Sequence, residues 1–164
     1  MKSFNDISST PGAKVRGLRI ISISMIAGVA LFAVVIFFIS RSALPPMAED
    51  AAPYKTEILV ALLAAGALAV FISRIRWSKK MQQARERVGV LDEKLDLYKG
   101  ALLGYMSLCE MPALFALIIF FLTGQPVILL VVALQLFFMV AKFLAIKKLP
   151  EELQLSWEES ELLK

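Results

Sequence analysis

The chain has 164 residues, 59% of them hydrophobic, a mean hydropathy of +0.72 and a formal net charge of +4. Soluble domains keep their apolar share near half, so the composition argues against a water-soluble domain and points to a membrane protein. There is no histidine, and the single cysteine, Cys109, has no partner for a disulfide. No phosphate-loop, dinucleotide, zinc or nucleophile-elbow motif is present, so no enzyme activity, cofactor or metal is expected.

Residues 1–17 are polar, contain Pro11 and Gly12 and show no helical periodicity. The expectation is a flexible cytoplasmic arm whose basic end meets anionic lipid. A first apolar run, 18–40, follows Lys14 and Arg16, with Arg19 at its edge. It is longer than the apolar part of a signal peptide, so an uncleaved anchor is expected in spite of the small Ala43 beyond it. The loop after it carries Pro45, Pro46, Pro53 and the acidic pair Glu49 and Asp50, with no evident ligand site.

A second run, 57–73, sits at the short end of the spanning range and is expected to continue as helix. Its Ala61, Ala65 and Ala69 recur at intervals of four, a spacing that lets helix backbones approach closely, and packing inside the chain's own bundle is the expected use. Beyond it, Trp77, Met81, Ala84, Val88, Leu91, Leu95 and Tyr98 share one helical face in segment 74–100, with charges on the other. Gly89 interrupts the segment, so two helical extensions folded on each other are favoured over one helix lying on the bilayer surface.

The third and fourth runs, 101–123 and 126–145, are separated by Gly124 and Gln125, and so short a link forces an antiparallel hairpin. The predicted fold is an all-α, four-helix transmembrane bundle with a helical extension between its second and third helices. The last segment, 146–164, is an acidic tail with Glu151, Glu152, Glu158, Glu159 and Glu161, and Ser156 and Glu159 at capping-box spacing. It reads as a short helix, either docked on the basic extension or solvated.

Lys and Arg lie overwhelmingly on one side of these runs, sixteen of the eighteen, leaving only Arg41 and Lys55 opposite. Because positive flanks stay in the cytoplasm, both ends are expected inside, in a bacterial inner membrane. The positive charge needs no nucleic-acid partner. The expected partners are the bilayer and another membrane protein or a second copy of the chain.

Glu110 is the residue that asks for a reason. It lies about 13 to 14 Å by helical rise from the start of the third run, near the expected midplane, where a carboxylate costs about 2.5 to 3.5 kcal/mol. Gln135 falls at nearly the same depth and is a candidate hydrogen-bond partner, as are Tyr105 and Ser107. Lys142 is nearer the surface and is expected to snorkel to the headgroups. Pro112 frees the carbonyl of Leu108 and permits a kink beside the acid. Structural glue between helices is the favoured reading, and a proton or cation site formed by Glu110, Gln135 and Tyr105 is the alternative.

The stretch from Leu95 to Gly124, LDLYKGALLGYMSLCEMPALFALIIFFLTG, resembles a segment of small four-helix membrane proteins of Bacteroidota, and the tail after Lys148 is similar to theirs. That resemblance implies no activity. Glu110 and the aliphatic run after it more distantly resemble the carboxylate helix of rotary ATPase c subunits, which implies an ion-binding acid at Glu110. Departing from that pattern are the absence of a regular glycine repeat in the second run, the long extension, Lys142 and the acidic tail. The function expected from the whole sequence is a non-enzymatic accessory or scaffold protein, with a proton- or cation-handling subunit as the alternative.

Overall fold

The computed structural model describes residues 10–42, 52–86 and 91–162. Residues 1–9 of the expected arm, 43–51 of the expected loop, Val88 and Gly89 lie outside them. Among the described residues the fold is all-α: α1 (Pro11–Ser42), α2 (Lys55–Glu86), α3 (Leu91–Thr123), α4 (Leu129–Ala145), α5 (Leu149–Glu152) and α6 (Trp157–Glu161), with single 3-10 turns at Ala52–Tyr54, Pro126–Ile128 and Ile146–Lys148. Four helical segments are long and apolar enough to cross a membrane: α1, α2, α3 and Pro126–Glu152. At about 1.5 Å per residue, α2 and α3 each extend well past a hydrocarbon thickness of about 30 Å, and their surplus is the charged extension.

Helix α3 is the axis of the bundle and packs against α1, α2 and α4. Its inward stripe of Leu102, Tyr105, Met106, Cys109, Ala113, Ala116, Leu117 and Phe120 is buried, and the alanines let neighbouring helices come close. The outward faces carry Leu31, Phe38, Phe71, Phe115, Leu130 and Phe137, all large and exposed, the inverse of a water-soluble surface. The core divides into two clusters. One gathers at the charged end around Leu95, Tyr98, Leu102, Met106 and Met139, and the other around Ala113, Leu117, Phe120, Ile128 and Val131.

The α3–α4 turn follows from its residues. Gly124 takes a positive φ of 65°, its N–H bonds the Phe120 carbonyl at 2.8 Å, and Gln125 is extended before Pro126 opens the next turn.

Two expectations are corrected. Residues 11–17 are not an arm but the first turns of α1, started by Pro11. Val15 is buried there, and Lys14 pairs with Asp92 at 3.1 Å and Asp96 at 3.3 Å, so contacts from α3 hold a segment that lacks a periodicity of its own. The alanine ladder of α2 does not pack inside the bundle, since Ala61 and Ala65 are exposed and Ala69 is half-buried. The inward face of α2 is instead Gly66, Val70 and Ser73.

Candidate functional site

Glu110 stands on α3 between the two core clusters, after Cys109 of one and before Ala113 of the other. It is half-buried at the margin of the inward stripe, and no hydrogen bond or ion pair joins it to any described residue. The helix runs without interruption through Pro112, which is buried.

Gln135 does not meet Glu110. Its side chain is fully buried on α4 against α2, where a Cβ on Gly66 would collide with its Nε2, and neither its Oε1 nor its Nε2 has a hydrogen-bond partner. Equal depth brought the two residues to one level, but they point to different neighbours. Gly66 lacks a side chain at the place where the amide needs room. Tyr105 faces α2 as well, with its ring 6.4 Å from Trp77 and nearly perpendicular to it. Among the described residues no hydrogen bond joins Gln135 to either Glu110 or Tyr105, so the expected Glu110–Gln135 bond is absent.

Polar and aromatic groups gather at the charged end. Trp77 of α2 packs edge-on against Tyr98 of α3, with centroids 5.1 Å apart, as their shared helical face requires when α2 and α3 run antiparallel. Lys142 does not run out toward the solvent. Its Nζ lies 3.2 Å from the centre of the Trp77 ring and 3.3 Å from Glu152 Oε1, so a carboxylate and a π face both draw it inward. Arg74, Trp77, Ser78, Tyr105, Phe138 and Lys142 line a cleft of about 590 Å³ beside this cluster.

The tail closes over the same end. Leu149 and Leu153 are buried in the core cluster, Arg85 Nε donates to the Glu152 carbonyl at 2.9 Å, and Lys94 pairs with Glu159 at 3.2 Å. Ser156 and Glu159 form a reciprocal cap on α6: Ser156 N–H donates to Glu159 Oε2 at 2.9 Å and Glu159 N–H to Ser156 Oγ at 3.2 Å. The Ser156 bond holds the Glu159 carboxyl below its ordinary range. Partial burial opposes this, and Lys94 adds to it. Trp157, by contrast, stands 77% exposed, with Leu162 near it in sequence 61% exposed.

Sequence reasoning missed the Lys142–Trp77–Glu152 arrangement. The signal that was present is positional: the charged flank of the fourth run and the aromatic end of the second run fall at the same level in an antiparallel bundle. Among the described residues, no three acid or thiol side chains gather as a metal site. No protein-family model matches the sequence, and neither curated proteins nor solved structures give a match.

Proposed function

We propose that this chain is a multi-pass protein of a bacterial inner membrane, with both ends in the cytoplasm, and that it serves there as a non-enzymatic accessory or scaffold protein. The observation that carries the reading is the tail. Three separate segments, the end of α2, the start of α3 and the tail through Leu149, Leu153 and Leu155, pack into one core cluster at the charged end, and the tail presents Trp157, 77% exposed, to solvent. Aromatic side chains are enriched at protein interfaces, and a docked tail holds this one in a fixed place. The partner is another membrane protein or a second copy of the chain.

The test places a photo-reactive amino acid at Trp157 in living cells, with Lys147 as an exposed control position on the same end. A discrete cross-linked product from position 157, absent from 147, is the expected result. Its absence, or equal products from both sites, would count against a scaffold surface at the tail.

A second reading, a proton- or cation-handling subunit, draws on Glu110 itself, a half-buried carboxyl on an apolar helix with no partner among the described residues. Ion flux in sealed vesicles decides it: flux lost in Glu110→Gln supports that role, and flux unaffected by the substitution removes it.

A further inference from the structure

A second cleft, of about 390 Å³, opens between α2 and α3 where the charged extensions meet the apolar spans. Its cationic wall is Arg76, Lys79 and Lys80 of α2, and its floor is Gly100, Ala101 and Gly104 of α3. The sequence explains why a cleft exists. Gly104 has open space where a side chain would project, and Lys80 Nζ lies 3.5 Å from the place a Cβ on Gly100 would occupy, so two glycines a turn apart leave the helix surface hollow.

These three cations are not engaged by any described residue, and they are gathered at one cleft. Lys14, Lys94 and Lys142 each pair with a carboxylate of the chain, and Arg85 bonds a carbonyl, whereas Arg76, Lys79 and Lys80 have no hydrogen bond or ion pair to any described residue. Like charges gathered on one helical face repel one another, and an anion in the cleft relieves that repulsion.

We infer that this cleft binds the phosphate headgroup of an anionic glycerophospholipid of the cytoplasmic leaflet. The chemistry is amphipathic in the right order. The cations lie in the extension, and Ala101, Gly104 and Tyr105 lead from them into the apolar run 101–123, where an acyl chain lies alongside α3. Basic pockets between helices at the cytoplasmic boundary have this recognition chemistry, and each nearby cation contributes about fivefold to affinity, so three together contribute on the order of 100-fold. A zwitterionic lipid gains less because its own cation meets the same three charges. The inference rests on the membrane reading above and is independent of a scaffold role.

The test titrates the purified full-length protein in detergent with phosphatidylglycerol, phosphatidylcholine or inorganic phosphate, and counts retained lipid by native mass spectrometry. One phosphatidylglycerol is expected to be retained in preference to phosphatidylcholine and not displaced by millimolar phosphate. Arg76→Gln/Lys79→Gln/Lys80→Gln is expected to weaken retention on the order of 100-fold. Gly104→Leu fills the hollow without changing charge and is expected to abolish the preference. Lys147→Gln/Lys148→Gln, a charge control at the same end, is expected to retain the lipid as wild type does.

Equal retention of both lipids, displacement by phosphate, retention unchanged in Gly104→Leu, or equal loss in the control would each overturn the inference. Helical circular dichroism of every variant separates loss of the cleft from loss of the fold, and Gly104→Leu decides the matter if the triple variant does not fold. A failed membrane reading shows itself earlier, as a protein that stays in solution without detergent.

Discussion

The ammonium of Lys142 is held between two groups from distant parts of the chain, the face of the Trp77 ring at 3.2 Å and the carboxylate of Glu152 at 3.3 Å. Both charged side chains are largely buried, 14% and 25% exposed, so the pair is shielded from water in a way that surface ion pairs are not. It ties α4, α2 and the tail together.

Lys142→Met keeps the apolar stem and removes the charge, leaving Glu152 facing an aromatic surface without a counterion. The tail is expected to lose about 2 kcal/mol of docking energy, from the missing pair and the missing cation–π contact. Hydrogen exchange of residues 149–162 checks this: faster exchange there, with the spans unchanged, is expected.

Leu153→Ala removes a side chain that is 1% exposed, at a cost of about 2 to 5 kcal/mol. Because the tail is a peripheral segment, the loss is expected to appear as tail release, with protease cutting after residue 145, while the thermal midpoint of the bundle stays nearly unchanged. A large fall in that midpoint would show that the tail is integral to the bundle.

Gln135→Met exchanges a fully buried amide without hydrogen-bond partners for an apolar side chain of similar length. The variant is expected to be more stable by about 1 to 3 kcal/mol, because the desolvation penalty disappears and the volume is kept. Cys109, buried and the only thiol, gives the readout: a maleimide dye reports unfolding as it becomes accessible, and the midpoint is expected to rise.

The Glu159 carboxyl is held below its ordinary range, first by the Ser156 N–H bond, against partial burial, and then by Lys94. A carboxylate with a depressed folded-state pKa contributes stability that is present above its unfolded value, about 4.3, and is lost as pH falls through the folded value. Tail docking is therefore expected to be flat from neutral pH down to about pH 5 and to weaken below about pH 4. The amide resonances of Ser156 and Glu159 follow this directly, and Glu159→Gln is expected to remove that part of the pH dependence.

The residues legible in the sequence were those whose positions follow from helical period. Trp77, Met81, Ala84, Leu91, Leu95 and Tyr98 recur at three- and four-residue spacing, and all enter one core cluster because a shared face on two antiparallel helices has to meet. The four apolar runs and the short link at Gly124 were legible for the same reason. Depth along a helix is also readable, and it sets Gln135 and Glu110 at one level.

What a run of residues does not encode is rotation about the helix axis. Gln135 turns to Gly66 rather than to Glu110, and Ala61 and Ala65 turn outward, because the neighbours across the bundle decide which stripe is buried. The Lys14 pairs with Asp92 and Asp96 join residues about eighty positions apart and have no local signal, so the helical start of α1 was invisible in its own composition.

The central claim is that the extension and tail share one side of a membrane, opposite the start of α2. The measurement is labelling of single cysteines, in a Cys109→Ser background, with a membrane-impermeant maleimide on intact spheroplasts and again after permeabilisation. Lys55→Cys is expected to label in intact spheroplasts, whereas Gln83→Cys and Trp157→Cys are expected to label only once the membrane is opened. Labelling of Gln83→Cys or Trp157→Cys in intact spheroplasts with protection of Lys55→Cys, or labelling of all three alike, would contradict the account.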